Sequence, residues 1–219
     1  MQFLFGVYRF NKMLLLGHTG ITLGCAAVLD TVLNKGMSSR ESSSLIKWYP
    51  GESGFKLLAK HIDIRILLIG SLLPDIIDKP LGYIILQKSV SNGRVFCHSM
   101  LFLILIVLAG IYLYRKRRGN WLLVLSFGVF THLIFDQMWL IPHIILWPLY
   151  GWSFPQGNRN ILLWIEDMLL GLITNPDTYI SEIIGALVLL IFIWQLMKSK
   201  LLTSFIIRGS IQGSITSEK

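Results

Sequence analysis

Charged residues are scarce in this sequence. Only 15% of its 219 positions are Asp, Glu, Lys or Arg, whereas soluble domains carry about 25%. Hydrophobic residues make up 53%, and the mean hydropathy is +0.62. This balance excludes an ordinary soluble globular domain and predicts a single membrane-embedded domain over residues 1–219.

Cysteine is equally scarce, and a continuous basic stripe is missing. The two cysteines, Cys25 and Cys97, lie in apolar stretches, so neither a disulfide framework nor a zinc finger is predicted. The net charge is +8, but the basic residues form short groups between apolar runs. We therefore expect membrane lipids as partners and no nucleic acid.

Apolar runs of about 20 residues, long enough to cross a bilayer, recur along the chain. Because backbone polar groups in lipid need internal hydrogen bonds, these runs are predicted to be helices. The fold class is then all-α, a polytopic membrane helix bundle of about five transmembrane helices. The predicted spans are 13–33, 62–77 (tilted or partial, because Pro74 interrupts it), 95–114, 121–140 and 179–197.

The remaining segments are assigned from their polarity and length. Residues 34–60 are predicted to form a polar loop, and 199–219 a polar tail. The short apolar run 81–86 is expected to be re-entrant or interfacial, and 161–173 is expected to be an interfacial helix. A second methionine, Met13, offers an alternative start.

Ionisable residues are rare within transmembrane segments, because each costs about 2.5–3.5 kcal/mol or more at the bilayer centre. When successive helices are antiparallel, the start of each odd helix and the end of each even helix lie at the same membrane face. Seven residues near the ends of the five spans follow this alternation. They predict one polar cluster at one membrane face: His18, Asp75, Asp78, His98, His132, Asp136 and Glu182.

The basic residues predict which face this is. Loop 35–65, the cluster Arg115–Arg118 and the tail from Lys198 hold 14 of the 20 Lys and Arg residues. These segments are predicted to be cytoplasmic, because basic residues concentrate on that side. The chain is then a multi-pass protein of the cell membrane, with its polar cluster on the extracytoplasmic side.

The cluster contains the residue types of a metal site. His132 and Asp136 are four residues apart, so they share one helix face and can offer two ligands to one ion. With His98 and Asp75 they make a set of two imidazoles and two carboxylates, which suits zinc or another divalent first-row metal. Such an ion can lower the pKa of a bound water to about 7 and polarise a phosphoryl oxygen.

Simpler explanations compete at several positions. His18 alone is more simply a hydrogen bonder between helices. Asp78 is more simply an interfacial helix end than a ligand. His143, after Pro142, is either interfacial or a further ligand.

The same residues resemble a known family, the YdjM-like membrane-bound metal-dependent hydrolases, over roughly residues 13–150. The likeness comes from the order of several short segments, each of which is a weak motif alone. They are Gly17–Gly24, Leu73–Asp78, His98–Ser99, His132–Asp136 with Leu146–Pro148, and the late Tyr179–Gly185.

This family is distantly similar to zinc-dependent phospholipase C and to zinc single-strand nucleases, which are all-helical phosphoesterases with three zinc ions. The resemblance implies a first metal site made by the four ligands named above, and a second metal served by His18 and bridged by Asp136. His143 lies one residue past the place of a further histidine, and Glu182 is the best stand-in for a carboxylate of the third site. Lys79 stands where family members often have histidine. One or two metals are therefore expected rather than three.

Two classes of function follow. The first is a membrane-bound, metal-dependent hydrolase of a phosphoester in a lipid or lipid-linked substrate, with Asp75 and Asp136 as catalytic carboxylates. The second is a non-catalytic membrane scaffold or metal-binding protein. Ion transport is less favoured, because no chain of polar residues crosses to the other face.

Overall fold

A computed structural model of the chain describes residues 13–38, 62–156 and 161–209. These residues form helices and no strand, so the all-α prediction is confirmed for this part of the chain. The α-helices are α1 (Leu15–Ser38), α2 (Ile64–Pro80), α3 (Met100–Arg117), α4 (Trp121–Phe135), α5 (Pro142–Ile145), α6 (Ile161–Thr174), α7 (Pro176–Lys198) and α8 (Leu202–Arg208). A π-helical segment, Leu81–Ile85, continues α2, and a short 3-10 turn, Met138–Leu140, precedes α5.

The predicted number of five spans is not confirmed. Among the described residues, two helices are long and apolar enough to cross a bilayer, namely Leu15–Leu33 within α1 and the whole of α7. Helices α2 and α4 have 17 and 15 residues. At 1.5 Å per residue they are about 26 and 23 Å long, which is short of a hydrocarbon core of about 30 Å.

The predicted break at Pro74 is wrong. Helix α2 passes through Pro74 and ends at Pro80, where the π-helical segment follows without a loop. A proline inside a helix removes one backbone hydrogen bond and crowds the carbonyl group four residues earlier, but the helix continues on both sides of Pro74. The runs 62–77 and 81–86, predicted as separate elements, are therefore one continuous helical stretch.

The predicted boundary of the first span also moves. Helix α1 continues to Ser38, five residues into the predicted polar loop. The rest of that loop lies outside the described residues.

Helices α1 and α7 touch through glycine. A Cβ added at Gly20 would lie 2.1 Å from the carbonyl oxygen of Gly185, and one added at Gly185 would lie 2.0 Å from that of Leu16. Only glycine allows backbones to approach so closely, as at other membrane helix pairs. This contact fixes the start of α1, where His18 lies, against α7.

Helices α2 and α4 are joined in the same way. A Cβ at Gly70 would lie 2.4 Å from the Leu125 carbonyl oxygen, and one at Gly128 would lie 2.5 Å from that of Leu67. Between α1 and α4, the buried hydroxyls of Thr22 and Thr131 are 3.0 Å apart. The three helices α1, α2 and α4 are thereby held together on the side of the candidate site.

Apolar side chains cover the outside of the bundle, while polar ones are buried inside. Large residues on the outer faces of α3 and α7 are more than half exposed, among them Leu108 at 57% and Leu190 at 61%. His18, His98 and His132, by contrast, are 0% exposed. Soluble monomers rarely expose such continuous apolar surface, and a lipid environment accounts for it.

The close contact at Gly20 yields a stability prediction. Gly20→Ala forces a methyl group into the backbone of α7, and overpacking of this kind costs about 1–3 kcal/mol or more. Gly24→Ala is the matched control on the same helix, since its Cβ would meet Val188 at an ordinary 3.8 Å. We expect the thermal melting temperature in detergent to fall by several degrees for Gly20→Ala and not for Gly24→Ala. Equal melting temperatures for the two variants would contradict this packing.

Candidate metal centre

Four side chains from separate parts of the chain meet in the interior of the bundle. Asp75 comes from α2, His98 from the turn before α3, His132 from α4, and Asp136 from the residue that ends α4. All four are buried, and each offers one ligand atom within 4.8 Å of the other three. The prediction that these four residues lie together is confirmed.

His98 is oriented by Asp78. The Oδ2 atom of Asp78 accepts hydrogen bonds from the backbone N–H groups of Val95, Cys97 and His98 at 2.8–3.1 Å. It also lies 2.7 Å from His98 Nδ1. Because a carboxylate can only accept, Nδ1 carries the hydrogen, and Nε2 is left with a lone pair that faces the cluster.

His132 is oriented in a similar way by backbone. Its Nδ1 lies 2.8 Å from the carbonyl oxygen of Ser71, which also can only accept. The Nε2 atom of His132 is then a lone-pair donor as well, and it lies 3.2 Å from Nε2 of His98. With these tautomers the two Nε2 lone pairs point at each other, an arrangement that a cation would stabilise.

Each carboxylate directs one oxygen towards these histidines. Asp75 Oδ1 lies 3.7 Å from His98 Nε2 and 3.9 Å from His132 Nε2. Asp136 Oδ2 lies 3.7 and 4.0 Å from the same two atoms. Two nitrogens and two carboxylate oxygens therefore surround one point.

The residues fit a metal ion on these distances. Two nitrogens bound to one tetrahedral zinc ion at about 2.0–2.1 Å are roughly 3.3 Å apart, close to the observed 3.2 Å. The oxygen–nitrogen distances, 3.7–4.0 Å, are longer than this by about half an ångström, so the carboxylates would have to move inwards to bind the same ion. The four-residue cluster could hold a divalent metal ion, and its mixed nitrogen and oxygen donors suit zinc or a neighbouring first-row metal.

His18 lies beside the cluster. Its ring stacks on His132 with centroids 4.1 Å apart, and its Nε2 lies 3.3 Å from Asp136 Oδ1. The ring is fully buried, yet neither of its nitrogens makes an aligned hydrogen bond. Buried polar atoms without partners are rare and call for an explanation. A second ion next to Asp136 would supply one.

Lys79 and Arg94, which were not predicted from the sequence to belong to the site, form ion pairs with the two carboxylates. Lys79 Nζ forms an ion pair with Asp75 Oδ2. Arg94 directs both Nε and Nη2 to Asp136 Oδ2 at 2.8 Å. The spacing of Lys79, four residues after Asp75 on one helix, could have predicted its contact, whereas no local signal links Arg94 to a residue 42 positions later.

The interpretation of Asp78 as an interfacial helix end is wrong. Its side chain is 0% exposed and holds the turn that carries His98. Its position three residues after Asp75, on the same helix face, was the available signal.

The structure gives Glu182 and His143 other surroundings. Glu182 accepts hydrogen bonds from the backbone N–H groups of Leu14, Leu16 and Gly17 at 2.8–3.1 Å, so it caps the start of α1 from the neighbouring helix. His143 is exposed and its ring lies 5.2 Å from that of Tyr150. Neither belongs to the four-residue group.

Asp30 was not identified from the sequence as a buried acidic residue. It is 1% exposed and lies twelve residues after His18 on α1, about 18 Å further along the helix axis. It is therefore remote from the metal cluster.

Comparison with known proteins gives one result. The family model described as the YdjM inner membrane protein matches residues 13–202, so the chain belongs to this family. No curated protein and no solved structure matches it. The membrane assignment and the resemblance to the YdjM family are thereby confirmed. The family description names no reaction, cofactor or substrate, and the predicted likeness to hydrolases, to zinc-dependent phospholipase C and to zinc nucleases is not confirmed.

The contact between Asp78 and His98 gives a prediction for metal affinity. Removal of such an orienting partner typically weakens metal binding by about 10- to 100-fold. We expect Asp78→Asn to lose affinity on this scale in a chelator competition assay. Asp177→Asn, which changes an exposed acid at the start of α7, should bind as the wild type does. Equal affinities for the two variants would contradict the orienting role.

The surroundings of Glu182 give a second prediction. Glu182→Gln removes the negative charge at the positive end of α1 and one acceptor, a loss of about 1–2 kcal/mol. We expect a lower melting temperature with the metal content unchanged. Loss of metal from a variant that is folded at the assay temperature would instead make Glu182 a ligand.

Proposed function

We propose that this protein is a membrane-bound, metal-dependent hydrolase of a phosphoester, in a lipid or lipid-linked substrate. The observation that carries the proposal is the pair of Nε2 atoms of His98 and His132, 3.2 Å apart and each fixed by an acceptor on the opposite side of its ring. Histidines that bind a metal ion almost always donate the other ring N–H to a carboxylate or a carbonyl group, as both of these rings can.

The proposed ion is zinc, held by the two imidazoles together with Asp75 and Asp136. When bound, such an ion supplies a Lewis acid and an acidified water, the two requirements of phosphoester hydrolysis at neutral pH. His18 is the proposed ligand of a second ion that Asp136 shares. His143 and Glu182 are not included, because of the surroundings described above.

The protein's own groups have distinct tasks in this proposal. Asp75 directs Oδ1 to the histidines and pairs its Oδ2 with Lys79, and both residues line a cleft. In this proposal the Asp75 carboxylate orients the attacking water and accepts its proton. Asp136 holds His18 through Oδ1, and Arg94 binds its Oδ2, so this carboxylate stays fixed during the reaction.

We further propose that α1, α2, α3, α4 and α7 all cross the membrane. The exposed apolar residues on α3 and α7 support this, as does the burial of every histidine of the cluster. The shorter helices would require local thinning of the bilayer, which costs fractions of a kcal/mol per ångström. With the basic segments in the cytoplasm, the metal centre lies towards the extracytoplasmic face.

Elemental analysis of the detergent-purified chain tests the proposal. We expect about one or two zinc ions per chain in the wild type, a loss of at least one in His132→Ala, and no loss in His143→Ala, which changes an exposed histidine outside the cluster. Hydrolysis of a generic phosphodiester should fall at least 100-fold in His132→Ala only. Metal without hydrolysis of any phosphoester would favour a metal-binding scaffold, and absence of metal from the wild type would reject both.

A further inference from the structure

A cleft leads from the metal centre to the outside of the bundle. About 470 Å³ of space, part of it open to solvent, lies between its walls. Its inner end is formed by the two site carboxylates and their cations, Lys79 and Arg94. Its outer walls are Met13 and Leu14 at the start of α1, and Trp164 and Met168 on α6.

The inner end carries cationic groups that are accessible from the cleft. The side chain of Lys79 is 22% exposed and that of Arg94 is 18% exposed, although both are ion-paired. Lys79 also lies over the ring of Trp164, with Nζ 5.1 Å from the centroid. An ammonium group has three N–H donors, and Asp75 accepts one from Lys79. A second anion in the cleft can therefore share Lys79 with Asp75.

The charges of the site favour such an anion. Asp75 and Asp136 are paired with the two cations, and a third buried carboxylate, Asp78, lies behind His98, so these five side chains carry one net negative charge. One divalent metal ion reverses this to one net positive charge, and buried charges need a partner. This step rests on the proposed metal-dependent function.

The loop that carries Arg94 is held in place by close backbone packing. A Cβ at Gly82 would lie 1.7 Å from the Asn92 carbonyl oxygen, and one at Gly93 would lie 2.5 Å from the ring of Tyr83. Tyr83 in turn stacks on Trp164 at 5.6 Å. The cation, the aromatic wall and the metal ligands are thus parts of one packed unit, as a preformed binding site requires.

The outer walls are apolar, and the helix that forms one of them has apolar residues on both faces. Trp164 and Met168, four residues apart, line the cleft. Leu162, Leu169 and Ile173 lie on the opposite face of α6 and are 71, 54 and 79% exposed. A small water-soluble phosphate would gain no binding energy from apolar walls, whereas an alkyl chain would be removed from water by them.

We propose that the cleft binds a phosphorylated amphiphile from the membrane, with its phosphate at Lys79 and Arg94 and its chain between α1 and α6. The ligand chemistry is a phosphate group joined to a long apolar chain. Lys79 and Arg94 are then binding residues for the phosphate, and Trp164 is a binding residue for the chain. The same phosphate chemistry also occurs in soluble esters, and the walls of the cleft distinguish the two sources.

Calorimetric binding to the full chain in detergent tests this proposal. The probes are dihexanoyl phosphatidic acid, which has acyl chains, and glycerol 3-phosphate, which has the same phosphate without them. We expect the first to bind at least tenfold more tightly than the second. Equal affinities would overturn the assignment of the outer walls.

Variants separate the contributions of charge and apolar wall. Lys79→Gln should weaken phosphatidic acid binding at least tenfold, Lys79→Arg should stay within about threefold of the wild type, and Lys88→Gln, at an exposed lysine outside the cleft, should have no effect. Trp164→Ala should weaken binding of phosphatidic acid but not of glycerol 3-phosphate. Trp164 lies on α6, which has no buried residues, so we expect Trp164→Ala to fold. The proposal can then be tested with this variant even if Lys79→Gln does not fold.

The binding experiment and the hydrolysis assay test the phosphate site and the hydrolase function independently. If the phosphatidic acid affinity of Lys79→Gln equals that of the wild type, or if Lys88→Gln loses as much, the phosphate site is overturned even when the wild type hydrolyses phosphoesters. If the variants behave as expected in binding and the wild type hydrolyses no phosphoester, the cleft assignment is supported and the hydrolase function is rejected.

Discussion

The Nε2 atoms of His98 and His132 lie 3.2 Å apart, and neither can turn away. Each ring is held on its far side by an acceptor-only group, a carboxylate in one case and the Ser71 carbonyl in the other. The two lone pairs are thus forced to converge between two carboxylate oxygens, in a region shielded from water. The proposed metal site, and with it the proposed hydrolysis of an anionic substrate, depends on this convergence.

Backbone contact between helices makes the convergence possible. Gly70 and Gly128 let α2 and α4 approach until a side-chain carbon would not fit, which places the Ser71 carbonyl within reach of His132. Gly20 and Gly185 do the same for α1 and α7, and so bring His18 to the edge of the cluster. Dispersion and close packing drive helix association in lipid, where hydrophobic burial contributes little. The glycine contacts thus bring the helices close together, and Asp78 and the Ser71 carbonyl then orient the two histidines.

The sequence predicted the four candidate metal ligands better than the residues that hold them in place. The four-residue spacing of His132 and Asp136, together with the alternation of polar residues between helix ends, was sufficient to group all four ligands. The task of Asp78 was missed because it depends on the fold of the turn before α3. The contact of Arg94 with Asp136 spans 42 positions and has no periodic signature. Pro74 was interpreted as a break because local propensity does not include the support that neighbouring helices give to a kinked or proline-containing helix.

X-ray absorption spectroscopy of the metal-loaded chain tests the convergence of the two histidines most directly. We predict a first shell of nitrogen and oxygen at about 2.0–2.1 Å, with the outer-shell scattering of two imidazole rings. Scattering from sulfur at about 2.3 Å, or an oxygen-only shell without imidazole, would contradict the account, because it would place the ion away from His98 and His132.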